Sequence, residues 1–268
     1  MLQRRFNMAG QRVQQRLWSL YSRYYDGLLD FVPYQRLLKL VVETVECGPT
    51  DQLVDLGCGT GNLLREIAVG AGPTVRLVGV DSSADMLRGA RKKLDHVDRA
   101  QIIETDLLDW AAREPSGSVD RIVSVNVLYT LNAEQRARFW ADSIRMLRPG
   151  GRLVVVTTDR AGFGPVLKEH LNERSVLQSL RPRLVAVLVL NLMIWALEAR
   201  KVFDPAPLEA LVNECRSAGG AVLRTERCYG GEEDGVDVMM IVEPASVDLR
   251  TEESVLLPRP DATHQANL

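Results

Sequence analysis

The chain has 268 residues, 46% hydrophobic and 25% charged, enough for a full core and too apolar for a disordered chain. Lys and Arg number 33 against 35 Asp and Glu, a net charge of −2, so the overall basic excess of a general nucleic-acid binder is absent. Cysteines at 47, 58, 215 and 228 and histidines at 96, 170 and 266 form no zinc-type cluster, so no metal is expected.

Residues 1–46 read as a helical cap or lid of two helices, with Val13, Leu17, Leu20 and Tyr24 on one apolar face and Leu37, Leu38, Val41 and Val42 on the next. Met1–Gln15 is polar and Arg-rich with no apolar run behind it, so a cytoplasmic compartment is the expectation. From residue 47 strand and helix signals alternate. Strands are expected at Asp51–Leu56, Thr74–Val80, Gln101–Glu104, Val119–Val125 and Leu153–Val156, with helices at Asn62–Val69, Ser83–Leu94 and Asn132–Leu147. Such alternation predicts a mostly parallel sheet with helices on both faces. Residues 159–203 break the rhythm and read as a helical insertion. A helix at Pro205–Gly219 and strands at Ala221–Cys228 and Val236–Val242 complete a domain spanning 47–243. Residues 244–268 read as an irregular tail.

The sharpest local signal is Asp55-Leu56-Gly57-Cys58-Gly59-Thr60-Gly61-Asn62, between a strand and a helix. Glycines there allow a tight turn and close approach of a ligand to the backbone. The dinucleotide fingerprint needs glycine where Asn62 stands, and no Gly-Lys-Ser/Thr follows, so a nucleoside without a diphosphate is favoured. Asp81, ending the second strand, suits a ribose diol, although alone it also reads as a helix cap. Asp106 could accept from a purine amine, with Leu107 and Met86 covering the base.

With Val78-Gly79-Val80-Asp81, Thr105-Asp106-Leu107, the block from Ile122 to Tyr129, and Leu147-Arg148-Pro149-Gly150-Gly151, the chain resembles a class I S-adenosylmethionine-dependent methyltransferase. The resemblance covers roughly residues 51–243. It implies a Rossmann-like sheet of seven strands with the last antiparallel, and S-adenosyl-L-methionine as cofactor. Gly57, Cys58, Gly59 and Gly61 would wrap the methionine part, with Asp55 near its amino group. Asp81, with Ser82 beside it, would hold the ribose, and Asp106 and Leu107 would address adenine. Asn126 and Val127 would border the acceptor entrance, and Tyr21, Tyr24 and Tyr25 would form a lid. Asn126 is not followed by Pro-Pro-Phe or Pro-Pro-Tyr, which weakens an adenine- or glutamine-methylating reading.

The acceptor is less legible. His170 is the candidate for a general base, if one is needed, and Tyr129 is a candidate to point at the acceptor or simply to pack. The run Leu184–Leu197 is apolar except for Asn191, and as a helix would be about 21 Å long, short of a membrane span. Core packing, a dimer face, an acceptor wall carrying Met193 and Trp195, and peripheral membrane contact all suit it. The expected activity is methyl transfer to a small, largely apolar acceptor such as a secondary metabolite or lipid-like compound. A non-catalytic cofactor-binding or dimerising module, and an RNA or protein methyltransferase, are the alternatives.

Overall fold

The computed structural model describes residues 18–70, 74–159, 164–173, 182, 185, 189, 192, 203–230 and 235–245. The expectations for residues 1–17, for the tail beyond 245 and for Met193 and Trp195 lie outside these described residues.

Residues 18–22 are helical, and a 3-10 turn follows at Tyr25–Asp30. Helix α1 (Val32–Val45) begins with Pro33 in its first turn, where the missing N–H costs nothing. The central run is β1 (Gln52–Leu56), α2 (Asn62–Gly70), β2 (Arg76–Asp81), α3 (Ala84–Leu94), β3 (Ala100–Glu104), α4 (Leu107–Ala111), β4 (Val119–Val125), α5 (Ala133–Met146) and β5 (Leu147–Thr158). After it come α6 (Gly164–Glu173), α7 (Leu208–Ser217), β6 (Gly220–Cys228) and β7 (Asp237–Pro244).

The strands form one seven-stranded sheet in the order β3-β2-β1-β4-β5-β7-β6. Pairs among β1 to β5 are parallel, and β7 runs antiparallel to both β5 and β6. The expected single reversed strand is therefore β7. Side chains alternate between two apolar layers, as a doubly covered sheet requires. Leu53, Val123, Val154 and Val156 meet α1 and α2 through Leu37, Val41 and Leu64. Val54, Ile122, Leu153 and Val155 meet α5 and α7 through Phe139, Trp140 and Leu211. α1 is thus a buried layer on the sheet. The strand order reverses between β1 and β4, which opens a crevice at their carboxyl ends.

Two elements differ from the sequence reading. Helix α4 was not expected. Asp106 starts it by accepting from the N–H groups of Leu108 and Asp109. Strand β5 begins at Leu147 and includes the Pro149-Gly150-Gly151 corner, which a propensity argument assigns to a turn. Leu147 pairs with Val119, and the register shifts before Arg152 meets Arg121, so the corner is an irregularity inside the ladder.

Candidate functional site

The glycine loop leaves β1 at the crevice. The N–H groups of Gly57 and Cys58 both donate to the Val80 carbonyl, at 2.8 and 3.1 Å, which turns the chain sharply. Gly57 has φ +89°, and a Cβ there would come within 2.3 Å of Val127 Cγ2. Only glycine satisfies both constraints. Gly61, φ +74°, lies against Ala90 of α3, where a Cβ would meet backbone at 3.1 Å. Gly59, φ +53°, faces open space and lines the cavity described below. Its missing side chain leaves room for a ligand. Gly79, one strand over, has its vacant Cβ position filled by Leu64 and the Cys58 thiol. It serves packing and not ligand approach.

Three acids stand at the carboxyl ends of neighbouring strands, Asp55 within β1, Asp81 closing β2 and Asp106 just after β3. Asp81 Oδ2 accepts from the Gly59 N–H at 2.9 Å, and Oδ1 accepts from the Ser83 N–H at 2.8 Å. One carboxylate therefore shapes the glycine loop and the start of α3 together. Burial pushes its pKa up, and the backbone donors oppose that. Ser83, the side-chain cap of α3, accepts from Met86 N. Asp55 is only 2% exposed. Burial, with the Asp81 charge second, pushes its carboxyl up to about 8. It is therefore protonated at neutral pH in the ligand-free fold. Asp106 lines the cavity while capping α4. At the end of β4, Asn126 holds φ +57°, and its Oδ1 is buried with no hydrogen-bond partner. A strained residue with an orphaned acceptor beside a cavity marks a place where a ligand donor is wanted.

These residues share one cavity of about 430 Å³. On one side lie Gly57, Gly59, Asp81, Ser82, Met86, Asp106, Leu107, Asn126 and Val127. The other side is aromatic: Trp18, Tyr21, Tyr25, Tyr34, Tyr129 and Tyr229. Tyr21 and Tyr25 meet edge to face at 5.2 Å, and Tyr25 and Tyr34 at 6.2 Å. Burial raises the pKa of Tyr25, Tyr34 and Tyr229, so their phenols stay neutral. Thr158, Val236 and Asp237 close this end, where Thr158 Oγ1 donates to Asp237 Oδ1 at 2.8 Å.

Most of the expected site residues meet here; several do not. Asp55, Cys58 and Gly61 are absent from the cavity lining and act behind it. Tyr24, which precedes the 3-10 turn, is exposed and does not line the cavity, whereas Tyr21 of the preceding helical residues and Tyr25 at the start of the turn do. His170 is neither a solvated helix residue nor at the cavity. It is 1% exposed, stacks on Phe31 at 4.6 Å, and its Nδ1 accepts from the Val32 N–H at 3.3 Å. That geometry fits the histidine to hold α6 against the start of α1, and it removes His170 from the catalytic candidates. In the run Leu184–Leu197, the described Val185, Val189 and Leu192 are exposed and do not line the cavity.

Sequence reasoning missed Lys93. Its Nζ donates to Asp26 Oδ1 at 2.5 Å, Thr60 O and Oγ1 at 2.9 Å each, and Asn62 Oδ1 at 2.6 Å. Asn62 Nδ2 reaches the Tyr34 hydroxyl at 3.4 Å. Lys93 thus ties the N-terminal turn to the glycine loop. Ser19 and Asp85 form a second tie, between the first described helical residues and α3. A lysine in the last turn of an amphipathic helix carries no signal of such a role. Trp18, Tyr34 and Tyr229 were likewise unmarked.

Residues 53–151 match the family model described as a methyltransferase domain. A trans-aconitate 2-methyltransferase from Azoarcus sp. (strain BH72) is 43% identical over 103 residues, covering 38% of this chain and 37% of that protein. The ubiquinone/menaquinone biosynthesis C-methyltransferase UbiE of Geobacter sulfurreducens (strain ATCC 51573 / DSM 12127 / PCA) is 28% identical over 156 residues, covering 57% of this chain and 60% of that one. The chain therefore spans less than two thirds of the length of these curated relatives. Among solved structures, a geranyl diphosphate methyltransferase in complex with SAM superposes with a TM-score of 0.56 at 14% identity, covering 78% of this chain and 85% of that one.

Proposed function

We propose that the chain, whose residues 53–151 match a methyltransferase-domain family model, is a class I S-adenosylmethionine-dependent methyltransferase that moves a methyl group from S-adenosylmethionine to a small, largely apolar acceptor held among the aromatic rings of its cavity. The observation that carries this reading is that one cavity is lined both by the residues expected to hold the donor, among them Gly57, Gly59, Asp81, Asp106 and Asn126, and by the rings of Trp18, Tyr21, Tyr25, Tyr34, Tyr129 and Tyr229.

The residues present fit the donor. Gly59 leaves open space where a side chain would stand, and the orphaned Asn126 Oδ1 can take an N–H. Asp81 keeps lone pairs for a ribose diol beside its two backbone bonds. Asp106 and Leu107 border the place for adenine, and Met86 its face. Asp55, close enough to Asp81 to feel its charge, is suited to answer the donor's ammonium by giving up its proton. Bound S-adenosylmethionine supplies an activated methyl whose bonding pair stays on sulfur as the acceptor attacks in line.

The chain's own task is placement. The aromatic rings offer rigid apolar surface at low entropy cost and keep water from the reacting atoms. Tyr129 is buried, lines the cavity and follows Asn126 and Val127 closely in sequence. It is the remaining candidate to orient the acceptor or take its proton. The relatives named above act, by their names, on aconitate and in ubiquinone/menaquinone biosynthesis, which supports a small molecule as acceptor.

The test has two steps. Calorimetry is expected to show binding of S-adenosylmethionine and of its demethylated product. Labelled donor is then screened against neutral apolar compounds, polyanionic acids and RNA, and products are identified by mass. Transfer to neutral apolar compounds supports the reading. Binding of neither donor form would overturn it, and transfer only to RNA would overturn the acceptor class.

A further inference from the structure

The cavity runs along the carboxyl edge of the parallel strands. In strand order Asp81 ends β2, Gly57 follows β1, Asn126 follows β4, Thr158 ends β5 and Asp237 opens the reversed β7. All five line the cavity. Neighbouring strands lie about 4.8 Å apart, so Asp237 stands about 10 Å along the edge from Asn126 and about 19 Å from Asp81. The residues that fit the donor belong to the other end, from Asp106 to Asn126. The ends of β5 and β7 are left for the acceptor.

Thr158 and Asp237 face each other across the antiparallel pair, and Thr158 Oγ1 donates to Asp237 Oδ1 at 2.8 Å. Asp237 is 1% exposed, and a buried carboxylate is costly unless donors and positive charge answer it. The Thr158 hydroxyl is a neutral donor. A carboxylate offers about four lone-pair sites, so a ligand can be added to its contacts within the fold.

The surroundings are aromatic. Trp18, Tyr21, Tyr25 and Tyr34 line the cavity in a chain, each ring set at 71° to 83° to the next. Rings nearly at right angles to one another enclose space with faces as well as edges, the form of a cage for a cation. Tyr229 belongs to the same wall. Burial chiefly, with Tyr21 and Asp237 next, raises its pKa, so its phenol lies near both and stays neutral. Among the described residues that line the cavity the acids are Asp81, Asp85, Asp106 and Asp237, and there is no Lys, Arg or His. A polyanionic acceptor meets like charge on these walls.

We propose that the acceptor is an amine on an apolar body, and that its protonated nitrogen is seated on the Asp237 carboxylate among these rings. This names the acceptor of the methyl-transfer reading and rests on it. A protonated nitrogen has no lone pair with which to attack. Asp237 therefore selects the acceptor and takes no part in transfer, and the methyl goes to another atom of the same molecule, nearer Asn126. An alcohol is a poorer occupant, because its bond to a carboxylate lacks charge on the donor and gains nothing from ring faces.

The experiment is calorimetry of the full chain with a homologous series of phenylalkylamines, the matching phenylalkanols and the matching phenylalkanoates, in the presence of the demethylated donor. We expect the best amine to bind at least about tenfold tighter than its alcohol, the gap between a charged and a neutral hydrogen bond, and the carboxylate to bind weakest. Asp237→Asn keeps the shape and an acceptor for Thr158. It is expected to bring the amine down to the alcohol and to leave alcohol and donor affinities unchanged, whereas a general loss of packing would lower all three. If that variant melts early, the wild-type order of the three series decides. Alcohols that bind as well as amines overturn the proposal. So do amines that fail to bind, or a folded Asp237→Asn chain that keeps the preference. Donor binding without an amine preference overturns this proposal and leaves the methyl-transfer reading standing. An amine preference in a chain that binds neither donor form overturns that reading and leaves only a cation site.

Discussion

Replacing Asp55 by asparagine exchanges an acid that folding has made expensive to ionise for a neutral group of the same shape. In the unfolded chain this carboxyl titrates near 3.8; in the fold burial lifts it to about 8. Between those values the unfolded chain has lost a proton that the folded chain still holds. Protein stability from this group is therefore fully present below about pH 4, falls as pH rises, and levels off above about pH 8. Each pH step of one across that window costs the fold about 1.4 kcal/mol, so from pH 5 to pH 8 the wild-type chain loses up to about 4 kcal/mol that Asp55→Asn does not. Relaxation and water entry reduce this, and about 1–2 kcal/mol is a fair lower bound. Urea unfolding of both proteins at pH 5, 6.5 and 8, without donor, measures the gap. Asparagine is expected to gain on the wild type as pH rises. Calorimetry at pH 7 in buffers of different ionisation heat is expected to show proton release on donor binding by the wild type and none by the variant. A stability difference that stays constant with pH, or that moves in favour of the wild type as pH rises, would refute the buried neutral acid.

Asp81→Ala is expected to weaken donor binding by about 1.5–3 kcal/mol for lost charge-assisted bonds, read by calorimetry. It also strands the Gly59 and Ser83 N–H groups, so a melting point fall of several degrees accompanies it, which a pure ligand contact would not produce. Gly57→Ala meets Val127 Cγ2 at 2.3 Å in a left-handed conformation and is expected to cost at least about 2 kcal/mol in urea unfolding. Adding Val127→Ala is expected to restore the steric part and not the backbone strain. Lys93→Met removes the ammonium shared by Asp26, Thr60 and Asn62, leaves the Thr60 Oγ1 to Asp26 Oδ1 bond in place, and is expected to raise amide exchange over Tyr25–Asp30 and to weaken donor binding by about 1 kcal/mol. Unchanged exchange in that turn would remove Lys93 as the tie.

The donor half was legible because its determinants are local. Gly57 to Gly61 with Asp55, Asp81, Asp106 and Asn126 each sit at the end of a strand that periodicity alone finds. A parallel sheet with a strand-order reversal then brings those ends together. The aromatic half was legible only in part. Tyr21 and Tyr25 were reached by their closeness in sequence, but Tyr24 could not be told from them until the fold showed which rings line the cavity. Tyr129 was reached from its place just after the fourth strand, whereas Tyr34 and Tyr229 come from distant segments, and nothing in a single sequence says that they converge with it. His170 shows the reverse error. As the only histidine in 159–203 it looked available for proton transfer, but its nitrogen is engaged by the Val32 N–H, a contact across 138 residues.

The two halves of the cavity also differ in what folding leaves unfinished. On the aromatic side the rings pack edge to face and the buried phenols are neutral, so that wall is stable as it stands. On the donor side Asp55 sits in a place that penalises its charge, Asn126 is held left-handed, and its carbonyl oxygen has no partner. Each is a cost that packing alone does not recover. A ligand carrying an ammonium would relieve Asp55 and one carrying an N–H would relieve Asn126, so their relief would add to donor affinity and none of it to acceptor affinity. That asymmetry favours an order in which the donor enters first and completes the floor on which the acceptor then rests.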